Sequence, residues 1–224
     1  VYRMTRIHSQ FRFLLSSILV PVLMLAAMVP SAHPGMQIVG SRIVYPSQSR
    51  EVTVNIKSTG TGSASMRLVR VWVGDGDPDA TAESTKAPFT ATPPVSRIDG
   101  GQGQSVRLMY TGGVPLPQDR ESVFYFNMLE IPPKPETTDN YLQFAVLTRI
   151  KVFYRPENLP GDPIRAGEGL AWKVIRHGDG YALECTNPAV FSVSIANARI
   201  EDAGRVVDSS AEGGLCPPKD RGVF

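Results

Sequence analysis

A chain of 224 residues, rich in Gly (20) and Pro (19) and without a long amphipathic helical pattern, has material for one large or two small domains joined by many turns. Its formal net charge of +2 belongs to the first 32 residues, which carry Arg3, Arg6 and Arg12 and no acid, so the remainder stands at −1. With no Lys/Arg-rich block left, a nucleic-acid partner has little electrostatic support.

The basic start is followed by an apolar stretch over residues 13–29 and by the small residues Ser31 and Ala32. That order reads as a secretory signal peptide over residues 1–32, with an uncleaved membrane anchor as the alternative; Ser16, Ser17 and Pro21 interrupt the apolar run. Export would place Cys185 and Cys216 in an oxidising compartment, where they can pair. Two free buried thiols are the alternative, and spacing does not choose between them.

The mature chain opens with MQIVGSRIVY, residues 36–45, read as one strand that Pro46 stops. Residues 51–57 alternate Val52, Val54 and Ile56 against Thr53, Asn55 and Lys57, the pattern of a half-buried antiparallel strand. Gly60 and Gly62 make the next turn. Residues 66–73 form another strand, with Trp72 expected as a core anchor. The loop that follows carries Asp75, Asp77 and Asp79 at the spacing of a calcium loop. Ala80 stands where that loop needs Gly, and Lys86 where it needs a bidentate Glu, so no metal is expected.

Thr92-Pro93-Pro94 is a rigid turn, and one of its X-Pro bonds can be cis. GGQGQ, residues 100–104, leads into strand residues 106–110 and not into a helix, which favours a hairpin turn over a phosphate loop. Residues 118–133 are strongly β-prone and end in a double proline. A short loop over residues 134–140 then leads into YLQFAVLTRIKVFYRP, residues 141–156. At period two this run sets Leu142, Phe144, Val146 and Ile150 on one side and Gln143, Ala145, Leu147, Arg149 and Lys151 on the other. It reads as one long strand whose apolar comb can be buried in its own core or in another protein.

About seven strands at short spacing indicate an immunoglobulin-type sandwich over residues 36–156. A proline-rich joint follows. Residues 170–176, 181–186 and 191–200 supply three further strands of a second domain, residues 164–224, and the pattern decays from Gly204. The fold class expected is all-β: two immunoglobulin-like β-sandwich domains, the C-terminal one incomplete.

ESVFYFNMLEIPP (residues 121–133) followed by LQFAVLTRIKVFYRP (residues 142–156) resembles the signature of the periplasmic pilus (fimbrial) assembly chaperones of Gram-negative bacteria. GSRIVYP, ATPPVSRI and LECTNPAVFSVS extend the resemblance to about residue 200. What it implies is a periplasmic protein that stabilises pilin subunits by donor-strand complementation and delivers them to an outer-membrane usher. Arg42 and Lys151 match the family's cleft cations, which hold the C-terminal carboxylate of the pilin. Leu142, Phe144 and Val146 match the donor residues that fill the pilin's open groove. The seven-residue loop resembles the short-loop branch, associated with rod-like pili. Glu121 and Arg155 match an interdomain salt-bridge network whose further acidic partner lies near the family's C-terminus. LCPPKDRGVF resembles a mid-domain turn running into a stop, so the second domain is expected to be truncated.

Catalysis is not expected. His8 and His33 lie in or beside the leader, and His177 stands alone without a nucleophile motif. No cofactor is expected either. The exposed apolar row makes a self-capping homodimer a natural idle state. The competing function is a secreted immunoglobulin-like adhesion or structural module.

Overall fold

The molecule is described by a computed structural model over residues 35–134, 140–202, 205–210 and 213–224. The leader expected over residues 1–32, and all but the ends of the loop expected over residues 134–140, lie outside these residues. The opening run divides into two strands, β1 (Met36–Ile38) and β2 (Arg42–Pro46). The division falls at Gly40, whose φ of +108° is a conformation that side-chain-bearing residues rarely adopt. Before the kink Met36 and Ile38 point inward; after it Ile43 and Tyr45 do, so the buried parity flips and Val39, Arg42 and Val44 face out. The single strand expected over residues 36–45 is therefore corrected: each half joins a different sheet.

Seven further strands complete the first sandwich: β3 (Val52–Ser58), β4 (Arg67–Gly74), β5 (Phe89–Thr92), β6 (Val95–Ile98), β7 (Gly103–Tyr110), β8 (Ser122–Ile131) and β9 (Val146–Arg155). One sheet has the order β1-β3-β7-β5, the other β2-β9-β8-β4-β6. The inward residues of both meet in one core that includes Val54, Ile56, Leu108, Val69, Val71, Phe126, Met128 and Val152. Tyr45, Phe89, Tyr110, Phe124 and Tyr154 form an aromatic cluster at one end. The buried Glu130 accepts a hydrogen bond from the Met36 backbone N–H at 2.7 Å, tying β1 to the opposite sheet. The Thr92–Pro93 bond is cis, between β5 and β6. These two short strands flank the proline turn and were not expected as strands.

Trp72 is not a core anchor. On β4 the alternation buries Val69, Val71 and Val73 and puts Trp72 on the outer face, half-covered, beside Asn127 of β8. The long strand expected over residues 141–156 is also shorter: β9 begins at Val146, where its pairing with β8 begins at Glu130. Double proline at 132 and 133 ends the partner strand, so residues 141–145 have no ladder to join.

The second sandwich belongs with the first to one unit, Gly35–Phe224. It contains β10 (Ala171–His177), β11 (Gly180–Asn187), β12 (Val193–Ile195), β13 (Ala198–Asp202), β14 (Arg205–Ser210), β15 (Gly214–Cys216) and β16 (Asp220–Val223). Its sheets are β10-β11-β16, β12-β15 and β13-β14. Two expectations are corrected here. Residues 191–200 are not one strand but belong to β12 and β13, and the pattern does not lapse at Gly204, because β14, β15 and β16 all pair with earlier strands. A disulfide joins Cys185 of β11 to Cys216 of β15. Among the described residues its hydrophobic cluster is centred on Ala166, Val190 and Phe191, and Trp172, Val174 and Tyr181 are exposed.

Gly40→Ala is expected to cost about 1 kcal/mol or more of stability in urea unfolding, because alanine resists that backbone conformation. Gly113→Ala, at ordinary φ with only Thr111 Oγ1 nearby at 3.7 Å, serves as the control and stays within about 0.5 kcal/mol.

Candidate functional site

Strand β9 is supported unequally along its length. On one side it pairs with β8 from Val146 to Tyr154. On the other it pairs with β2, in parallel, only from Lys151 to Arg155. Among the described residues its first half, Val146 to Ile150, therefore presents a free edge of backbone donors and acceptors.

The side chains follow the same division. Val152 and Tyr154 are sealed in the core and Ile150 packs against it. Stepping back by twos, the same parity reaches Val146 at 49 % exposure, Phe144 at 70 % and Leu142 at 83 %. Leu142 and Phe144 thus lie ahead of the start of β9, exposed among the described residues. Gln143, on the opposite parity, donates to the Pro132 carbonyl at 2.7 Å and ties the segment to the end of β8.

Where the free edge ends, the parallel register makes Arg42 the direct partner of Lys151. Both lie on the outward parity, and among the described residues neither has a carboxylate partner. Arg42 is exposed. The Lys151 ammonium donates to Ser194 Oγ at 3.1 Å and to the Gly214 carbonyl at 3.4 Å, both in the second sandwich. Burial holds the Lys151 ammonium below the usual lysine range, and the Arg42 cation lowers it further. Two cations side by side, one of them partly desolvated, form a site that a carboxylate would neutralise.

A second set of contacts fixes the two sandwiches around this cleft. Glu121, almost wholly buried, accepts from Arg155 Nε at 2.7 Å through one oxygen and from the Ser192 backbone N–H at 2.8 Å through the other. The Glu121–Arg155 ion pair lies within the first sandwich; the crossing is made by the Ser192 bond and by Glu121 N–H to the Val190 carbonyl at 2.9 Å. The Arg155 guanidinium also stacks over Phe191, 5.4 Å from its ring centre. At the rim, Lys219 pairs with Asp119 at 2.8 Å.

The chain has relatives among known proteins. Residues 35–160 match the family model for the pili and flagellar-assembly chaperone, PapD N-terminal domain. The chain belongs to this chaperone family. It is 43 % identical over 170 residues to the probable fimbrial chaperone YadV of Escherichia coli K12, covering 74 % of this chain and 68 % of that protein. It is 36 % identical over 186 residues to the chaperone protein FimB/FhaD of Bordetella pertussis, covering 81 % and 74 %. The crystal structure of the YadV chaperone superposes with a TM-score of 0.66 at 38 % identity, covering 84 % of this chain and 83 % of that one. That of the CupB2 chaperone of Pseudomonas aeruginosa gives 0.64 at 31 %, covering 84 % and 87 %. Two immunoglobulin-like domains and a role in pilus assembly follow from this membership.

Within this chaperone, the structure places Arg42 beside Lys151, leaves Leu142, Phe144 and Val146 exposed, the first two ahead of β9, and bonds Glu121 to Arg155. Ser194 and the Gly214 carbonyl, which receive the Lys151 ammonium, were not singled out from sequence. Ser194 lies in a quoted motif, but which strand of the second sandwich faces β9 is a tertiary fact that no local pattern carries. His177 is exposed at the end of β10, and Asp75, Asp77 and Asp79 are exposed in their loop.

Arg42→Met removes one of the two causes that depress Lys151. The Lys151 pKa is expected to rise toward the ordinary lysine value yet remain below it, because burial is untouched; NMR titration of the lysine side chain reads the shift. An unchanged or lower value would contradict the electrostatic coupling of the pair.

Proposed function

We propose that this chaperone acts in the periplasm, following cleavage of a leader over residues 1–32, by lending pilin subunits the strand they lack. The client's C-terminal carboxylate sits between Arg42 and Lys151, where charge-assisted hydrogen bonds fix it and set the register of the chain behind it. The client strand adds to the free edge of β9 while Leu142, Phe144 and Val146 fill the client's groove. Donor-strand complementation between chaperone and pilin is an established mode of β-augmentation. Each of the three side chains contributes about 1.5–3 kcal/mol of burial before the costs of association.

One observation carries this reading: among the described residues, β9 from Val146 to Ile150 has an unpaired edge that ends at Arg42 and Lys151, which have no carboxylate partner there, and the apolar Phe144 and Leu142 just before it are exposed. A carboxylate at Lys151 also supplies the counter-charge that its burial leaves wanting. An immunoglobulin-like adhesion module would share the sandwich without any use for that pair. The filled chaperone then passes its client to an outer-membrane usher, and the empty one covers its apolar row by pairing with a second copy. Glu121 and Arg155, through Ser192, hold the angle between domains at which the cleft accepts the carboxylate.

Arg42→Glu and Lys151→Glu should each abolish protection of a purified pilin subunit from proteolysis, with the chaperone's own unfolding midpoint close to that of the parent. Phe144→Ala should weaken capture by about 10- to 100-fold. Charge-reversed variants that still protect the pilin would refute the carboxylate anchor.

A further inference from the structure

The outer face of β8 holds a residue that departs from the exposure of its neighbours. Asn127 shares the parity of Val123 and Tyr125, which are half-covered, yet is itself fully buried. It is the direct partner of Arg149 on β9, whose Nε donates to Asn127 Oδ1 at 2.8 Å. Asn127 Nδ2 in turn donates to the Tyr125 carbonyl at 3.1 Å, and the Arg149 guanidinium lies over the Tyr125 ring, 5.5 Å from its centre. A longer contact, 3.5 Å, runs from Arg149 to the Pro78 carbonyl in the loop after β4.

The end of β4 and the start of that loop are pressed onto the cluster. A β-carbon added at Gly74 would come within 3.1 Å of Asn127 Nδ2, and one at Gly76, where φ is +111°, within 3.3 Å of the Tyr125 ring. Glycine at both positions lets the backbone approach that closely. The cluster's place on β9 is telling. From Lys151 to Tyr154 the strand has two neighbouring strands and buries Val152, Phe153 and Tyr154. From Val146 to Ile150 it has β8 alone, and its inward side chains are only partly covered or exposed. Arg149 supplies a charge-assisted bond to a buried amide in the half where packing has thinned out.

We infer that Arg149 is a positioning residue for client capture: acting through Asn127 and the loop after β4, it holds the free half of β9 extended and in register with β8 before a client arrives. The inference rests on the strand-lending function proposed above. An ordered edge lets an incoming strand pair without first organising its template, which lowers the entropic cost of association.

The test has one arm without a client and one with it. In the full chain, Arg149→Met should speed amide exchange across residues 146–150 about tenfold and leave residues 152–154 unchanged. In the second arm, capture of a purified pilin subunit diluted from denaturant should slow about tenfold for Arg149→Met and equally for Asn127→Ala, with the double variant no slower than either. Arg149→Lys, which keeps the charge but lacks the Nε donor, should fall between, and replaces the Met variant if that fails to fold. Unchanged exchange, or a rise spread evenly over β8 and β9, would overturn the positioning role. So would loss of capture in Arg149→Met with Asn127→Ala unaffected, which would mean that Arg149 touches the client itself. Failure of the parent chain to capture pilin would sink the proposed function, while the exchange arm still decides whether Arg149 braces the strand.

Discussion

The parallel pairing of β2 with β9 is the constraint on which the rest depends. Because β2 reaches only from Lys151 to Arg155, the strand beside it is closed at one end and open at the other. The kink at Gly40 makes this arrangement possible: the chain begins in one sheet and crosses to the other, bringing Arg42 alongside Lys151. A strand that stayed in its first sheet would leave β9 with an open edge along its whole length and no second cation at its middle.

Electrostatics and packing act together at that point. Lys151 loses part of its hydration to the second sandwich, faces Arg42, and among the described residues donates to neutral acceptors alone, Ser194 Oγ and the Gly214 carbonyl. Neutral acceptors solvate an ammonium without cancelling its charge, so the cleft keeps an unmet demand for an anion. Glu121, the nearby buried carboxylate, is already committed to Arg155 and the Ser192 amide, and its contacts set the two sandwiches against each other. Acid and base are thus segregated: Glu121 is bonded to Arg155 and the second sandwich, while Arg42 and Lys151 have no carboxylate partner among the described residues.

Much of this was legible in the sequence where the signal was local. The alternation of Val146, Ile150, Val152 and Tyr154 follows from strand geometry and holds within β9, whereas Leu142 and Phe144 lie before the strand begins and are exposed. The start of the strand lies in its partner: a strand begins where its partner does, and Pro132-Pro133, which end β8, mark that limit outside the run itself. Trp72 was misread because its size was allowed to outweigh the alternation of Val69, Val71 and Val73, which was the better guide. The break at Gly40 had a signal that went unused: apolar residues on both parities around a glycine, with Ile38 and Ile43 an odd number of positions apart. The later strands of the second sandwich are short, and their partners are far away in the chain, so periodicity had little to work with.

A crystal structure of this chaperone with a bound pilin subunit tests the central claim most directly. The account predicts the client's terminal carboxylate within hydrogen-bonding distance of both Arg42 and Lys151, its last strand paired to the edge from Val146 to Ile150, and Phe144 inside the client's core. A complex in which the client is held elsewhere, with Phe144 in solvent and the two cations unoccupied, would contradict it.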